Sequence, residues 1–175
     1  MGVCPQHDVL FDLLTPAEHL SIFYDFKGGN SKLKKREISD LIRDVGLIPD
    51  KHKVAGSLSG GNRRKLSVAI AMCGQSKLVL LDEPTAGMDL SARRQMWDML
   101  KNYRRDKIII LTTHYMDEAD VLGDRIGIMA KGKLMCLGSS LFLKKRFGAG
   151  YKLTMVKKQK IKNRLIEPYL KARLG

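Results

Sequence analysis

Three cysteines in 175 residues, Cys4, Cys73 and Cys136, are too few and too scattered for a disulfide framework or a zinc-ligand set, and they fit a reducing compartment. The longest apolar runs, LVLL at 78–81 and IIIL at 108–111, fall far short of the roughly 18 to 20 residues of a membrane-crossing helix. The first residues lack the charged and apolar regions of a secretion signal. Acid is scarce in one part only. From Lys131 to Gly175 there are 13 Lys and Arg against one acid, Glu167, or +12; the preceding residues hold 19 basic against 17 acidic, or +2. With aromatics at 6% and no base-reading motif beside the basic part, nucleic acid is not an expected partner. A solvated face is the commonest reading of such charge, and an anionic membrane surface or an acidic partner domain is the expected partner where there is one.

What is present is enough apolar sequence, 44%, for one sizeable core. Residues 15–26 read as a helix with Pro16 in the first turn, and residues 37–45 as an amphipathic helix stopped by Gly46. After Ser59, Leu66, Ala69, Ile70 and Cys73 recur at helical spacing up to Gly74. The pattern then alternates. Residues 78–81 and 108–111 are continuous apolar runs, expected as parallel strands covered on both faces, with a helix over 91–103 between them. A short helix at 117–122, a hairpin of 125–129 and 134–137 turning at KGK, and a helix from 139 to Gly148 complete an α/β chain. Met88, Met96, Met99, Met116, Met129 and Met135 read as core or near-core filler rather than a binding surface, and Trp97 as a packing residue. His7, His19 and His52 read as solvated or locally bonded, and Arg63, Arg64 and Lys65 as an exposed helix face or an aid to an anion site.

Chemistry concentrates where strands end. Asp82 and Glu83 follow the apolar run at 78–81, and His114 follows IIILTT, so both arrive at the carboxyl edge of a sheet, where open α/β folds bind ligands. An acid pair and a histidine there suit a metal-bound, multiply charged ligand and a water to be activated. Either alone would be an N-cap or a loop side chain. Ser59, Gly60 and Gly61 start a helix, whose free N–H groups and dipole favour an anion, and glycines allow close approach.

Taken together, LSGGNRRK, LVLLDEPTAGMD and the strand-terminal TTH resemble the signature motif, Walker B motif, D-loop and switch histidine of an ATP-binding-cassette ATPase, and CPQHD resembles its Q-loop. VCPQHDVLFDLLTPAEHL and GKLMCLGSSLFLKKRFGAGYKLT are similar to subfamily A transporters, the lipid-exporter type. The resemblance implies a P-loop NTPase-type cassette with a parallel β-sheet core and an α-helical subdomain. It implies ATP and Mg²⁺ as cofactors, with Asp82 holding the metal, Glu83 as general base and His114 on the γ-phosphate. Gln6 would sense metal and water; Ser59, Gly60 and Gly61 would bind ATP held by a second cassette, and Asp89 would communicate across that interface.

Asn62 stands where the family more often has Gln, which leaves the backbone donors intact. No G-x-x-x-x-G-K-[ST] motif occurs; GIMAKGKL at 127–134 has the glycines and Lys133 but ends in Leu134 and lies in the hairpin. By family order the chain is expected to be truncated before the Q-loop, without the N-terminal β-subdomain, and so inactive alone. The expected parts are residues 1–14 as Q-loop segment, 15–75 as helical subdomain, 76–150 as ATPase core and 151–175 as basic extension. The resemblance places the chain at the cytoplasmic face of a membrane, as a domain of a transporter moving lipid or similar amphiphile through its transmembrane domains. A soluble cassette ATPase acting on nucleic acid or ribosomes, and a non-catalytic regulatory fragment, are the alternatives.

Overall fold

Thr15 starts the first helix by a local exchange of hydrogen bonds. Its hydroxyl accepts from the Glu18 amide at 3.3 Å while Glu18 Oε2 accepts from the Thr15 amide at 2.8 Å, and Pro16 stands at the first helical position. The computed structural model describes residues 1–148 and Pro168, and this helix is α1, Pro16–Phe26. α2, Lys34–Asp44, begins three residues before the expected start, behind Leu33, which makes no side-chain cap. Its end is as expected. Gly46 takes φ +71°, its amide donates to Arg43 O at 2.9 Å and the Leu47 amide to Ile42 O at 2.8 Å, the paired bonds that close a helix on a left-handed residue.

Ser59 caps α3, Gly60–Met72, by accepting from the Asn62 amide at 3.3 Å, and Asn62 Nδ2 donates to Asp50 at 2.8 Å. Asp89 caps α4, Leu90–Tyr103, accepting from the Ser91 and Ala92 amides at 2.9 and 3.0 Å. Leu20 of α1, Leu41 of α2 and Val45 just past its end meet Leu66 and Ala69 of α3 and Met96 and Leu100 of α4 in one core. Each such leucine contributes roughly 1.5 to 3 kcal/mol by leaving water.

The sheet against α3 is parallel, with β1 (Gly2–Cys4), β2 (Leu78–Asp82) and β3 (Ile108–Thr112) in that order. Gly2 lies so close to α3 that a Cβ there would sit 1.9 Å from the Ala71 carbonyl oxygen. Val79, Leu81, Ile109 and Leu111 join the core. The opposite face differs from expectation: Val3, Ile108 (68%) and Ile110 (56%) are exposed, because the helices of the described residues cover one side of the sheet. The methionines divide likewise. Met88, Met96 and Met99 are buried, whereas Met116, Met129 and Met135 are exposed and are not core filler.

α5 (Met116–Leu122) follows β3, and β4 (Ile126–Ala130) pairs antiparallel with β5 (Lys133–Gly138), turning at Lys131 and Gly132 as the KGK segment predicts. GIMAKGKL is therefore hairpin, not a strand-to-helix loop. α6 spans Ser140–Phe147. Residues 1–140 form one compact unit; most of the segment 151–175, expected as a basic extension, lies outside the described residues. No helix among the described residues is long and apolar enough to cross a membrane.

Candidate functional site

Register alone assembles the site. Cys4 pairs with Leu81 and Asp82 with Thr112, so the three parallel strands finish at one edge and the chain leaves it at Gln6, Glu83 and His114. This edge carries every candidate named for the ATPase chemistry except the helix-start residues Ser59, Gly60 and Gly61 and the cap Asp89.

Glu83 and His114 meet there, with His114 Nδ1 3.0 Å from Glu83 Oε1. The imidazole ring also stacks on Tyr115 at 4.0 Å between centroids, and Tyr115 lies under the Arg93 guanidinium at 3.8 Å. Glu83 holds φ +48°, a left-handed conformation uncommon for a residue with a side chain. Its amide donates to Thr112 O at 3.1 Å and to Thr112 Oγ1 at 3.3 Å. The Thr112 hydroxyl in turn donates to the Asp82 carboxylate, so one threonine orients both acids.

Asp82, Glu83 and Gln6 offer oxygen ligands only, and no cluster of three or more His, Cys, Asp or Glu able to hold a metal occurs among the described residues. That donor set fits Mg²⁺, which keeps several waters and takes one or two carboxylates together with substrate phosphates. Asp82 with the Gln6 amide would hold it. Cys4, just before Gln6, is buried, and burial pushes its thiol up to about 11, so it supplies no thiolate to this edge.

Ser59, Gly60 and Gly61 stand apart. No hydrogen bond joins them to Gln6, Asp82, Glu83 or His114 among the described residues, and the Ser59 hydroxyl accepts within its own helix start. A Cβ at Gly60 or Gly61 would meet nothing within 4 Å, so packing in this chain does not require either glycine. Asp89 acts as the cap of α4; its amide bonds hold its carboxyl below the usual range.

Three residues near the edge carry more than sequence reasoning assigns them: it takes Arg64 only together with its two neighbours and does not single out Glu118 or Thr112. Arg64, expected on an exposed face or as an aid to the site, is 3% exposed and reaches the backbone after both β1 and β2. Glu118, fully buried, accepts from the Thr85 hydroxyl at 2.9 Å and from Trp97 Nε1 at 3.0 Å, tying the turn after β2 to α4 and α5. Thr112 is the third. Its place between two catalytic candidates was legible in TTH, since the residue two before a strand-terminal histidine sits beside the neighbouring strand's end.

A parallel sheet ending in an acid pair and a histidine, beside a helix that opens on Ser-Gly-Gly, defines an ATP-binding cassette of the P-loop NTPase type. Residues 1–86 match the ABC transporter family. The chain is 53% identical over 157 residues to the human phospholipid-transporting ATPase ABCA3, an alignment covering 90% of this chain and 9% of that protein. It is 50% identical over 160 residues to the human retinal-specific phospholipid-transporting ATPase ABCA4, covering 91% and 7%. The chain thus spans less than a tenth of the length of these relatives. Among solved structures it is similar to an ATP-binding subunit of an ABC transporter, with a TM-score of 0.74 and 24% identity over 84% of this chain and 62% of that one. A dimeric cassette in a post-hydrolysis state bound to ADP and Pi gives 0.70 and 22% over 79% and 62%, a likeness of fold. The chain belongs to the ABC transporter family, in subfamily A.

Proposed function

We propose that this chain is the ATP-binding and ATP-hydrolysing part of a membrane transporter that moves phospholipid or a similar amphiphile. The observation that carries the reading is the Glu83 to His114 pair, 3.0 Å apart at the strand ends with Asp82 alongside. Phosphoryl transfer needs positioning and charge neutralisation more than covalent chemistry. Glu83 takes the proton of the attacking water as general base. His114, which bonds Glu83 through Nδ1, keeps that carboxylate oriented and presents its other nitrogen to the γ-phosphate. Mg²⁺, when bound by Asp82 and Gln6, supplies charge neutralisation on the phosphate oxygens. Gln6 leaves β1 at the same edge, where it senses that ligand set.

The Ser59 hydroxyl and the helix-start amides of Gly60 and Gly61 face the γ-phosphate of a nucleotide held by a second cassette, with Asp89 at the junction. This explains two glycines that nothing in the chain's own packing demands. The transmembrane domains of the same transporter are the remaining partners, and the cassette works at the cytoplasmic membrane face. The parts of the cassette are residues 1–14, 15–75, 76–150 and 151–175, as the sequence divides.

The test is Glu83→Gln in the transporter polypeptide that carries this cassette, with the second cassette disabled. ATP binding stays and turnover falls by orders of magnitude, on the order of 10² to 10⁴ for a lost general base. Near-normal turnover removes Glu83 from the role. The 175-residue chain by itself, which contains no G-x-x-x-x-G-K-[ST] motif, releases no phosphate from ATP.

A further inference from the structure

Of the three consecutive cations in α3, Arg63, Arg64 and Lys65, only Arg64 is buried. Placing a guanidinium out of water is costly unless its donors find acceptors. Arg64 finds five on its two terminal nitrogens. Nη1 donates to Pro5 O at 2.5 Å, to Gln6 O at 3.2 Å and to Asp8 Oδ1 at 3.0 Å. Nη2 donates to Asp82 O and, at 3.0 Å, to Glu83 O. Four of the five are main-chain carbonyls, and they belong to two segments distant in sequence, the one leaving β1 and the one leaving β2. Asp8 supplies the counter-charge. A planar fork of fixed donors therefore sets where the chain departs from one strand relative to where it departs from the next.

Glu83 shows what this fixing holds. A left-handed residue with a side chain persists only when its surroundings over-determine it. Here both sides of the residue are tied: its amide donates to Thr112 O at 3.1 Å and its carbonyl accepts from Arg64 at 3.0 Å. That backbone conformation turns the carboxylate to His114. We infer that Arg64 is a positioning residue that locks the Gln6 segment and the left-handed Glu83 backbone to each other, so that base and metal-sensing amide share one geometry. The inference rests on the ATPase reading for its consequence in catalysis. The lock itself rests on geometry alone.

Two measurements separate them. In the full 175-residue chain, amide hydrogen exchange is followed in peptides covering 5–10 and 80–86. Arg64→Met speeds exchange in both segments together by about tenfold or more, and Arg64→Lys, whose single ammonium cannot bridge four carbonyls, does so to a smaller degree. Asp8→Asn leaves the carbonyl bonds in place and gives a partial effect, so these two variants carry the test where Arg64→Met fails to fold. Leu41→Ala, a core change in α2, lowers stability without singling out these segments. In the transporter polypeptide, Arg64→Lys lowers kcat by roughly 10 to 100-fold while KM for ATP stays within about twofold, the pattern of displaced catalytic geometry. Unchanged exchange, or faster exchange in one segment only, overturns the lock. Unchanged kcat overturns its part in catalysis. A wild-type transporter without ATP turnover dismisses the proposed function, and the exchange result still decides the lock.

Discussion

Replacing Glu118 by Ala tests whether a buried carboxylate organises the region behind the site. Glu118 and Thr85 have no solvent exposure and Trp97 is 9% exposed, so the Thr85 hydroxyl and the Trp97 ring N–H cannot turn to water when the carboxylate goes. An orphaned buried donor costs about 1 to 3 kcal/mol. Two donors, together with the cavity left by the side chain, bring Glu118→Ala to about 3 to 5 kcal/mol, less than their simple sum because the pair shares one acceptor oxygen. Glu118→Gln keeps an oxygen where both donors point. Its new amide replaces Oε2, which has no hydrogen-bond partner among the described residues, so the cost of Gln falls to about 1 to 2 kcal/mol. The assay is denaturant unfolding of the full chain, read as a shift in midpoint at constant slope. The order Ala well below Gln, and Gln slightly below wild type, is expected. An Ala variant within about 1 kcal/mol of wild type refutes the reasoning, as does a Gln variant worse than Ala.

Three further outcomes follow from single residues or segments. The Asp89 carboxyl titrates below its ordinary 3.8 because it accepts the Ala92 and Ser91 amides; its contribution is present above that value and lost as acid carries the pH down through the folded value. Asp89→Asn keeps a cap acceptor without the charge, so the gap in melting temperature between wild type and variant narrows below pH 4, and a gap constant with pH contradicts this. Gly61→Ala meets no neighbour and improves helix propensity by up to about 1 kcal/mol, so the melting temperature holds or rises while ATP turnover of the transporter falls; a lowered melting temperature contradicts the open helix start. The +12 charge between Lys131 and Gly175 makes the chain bind anionic phospholipid vesicles more tightly than neutral ones, with binding that falls as salt rises; equal binding to both, or tighter binding to nucleic acid at physiological salt, contradicts this.

Local signals were legible wherever a residue acts on its own neighbours. Pro16 in a first turn, Ser59, Gly46 and the KGK turn all mark ends of elements by chemistry within a few positions, and the structure follows them. α2 starts early because Leu33 provides no cap for a reader to find. β1 escaped notice since three residues, one of them glycine, show no periodicity; it exists because Gly2 permits contact with α3 and because β2 offers a parallel edge. Burial of charge was the harder matter. Arg64 bonds carbonyls 58 and 59 positions back and 18 and 19 positions ahead, so its burial depends on contacts that no window of sequence displays. The exposed methionines and the bare face of β3 have the same origin, for a run such as IIIL states that a strand is apolar but not which element lies over it.

Two departures from local preference fall on the two halves of the proposed chemistry, and they run in opposite directions. At position 83 the backbone is left-handed, where glycine would cost least, yet the residue is glutamate. At positions 60 and 61 a side chain would fit without contact and a helix would gain from it, yet both residues are glycine. Neither choice improves the fold. A glutamate in a strained turn has a reason if its carboxylate is wanted at the sheet edge beside His114, and Arg64 and Thr112 provide the bonds that hold it there. A bare helix start has a reason if something must come close to its amides, and no group of the described residues does. Natural sequences are locally consistent except where function asks otherwise. On the proposed reading the strained acid is a group that this chain's own bonds hold in place, and the unfilled glycines are left open for a nucleotide brought by a second cassette.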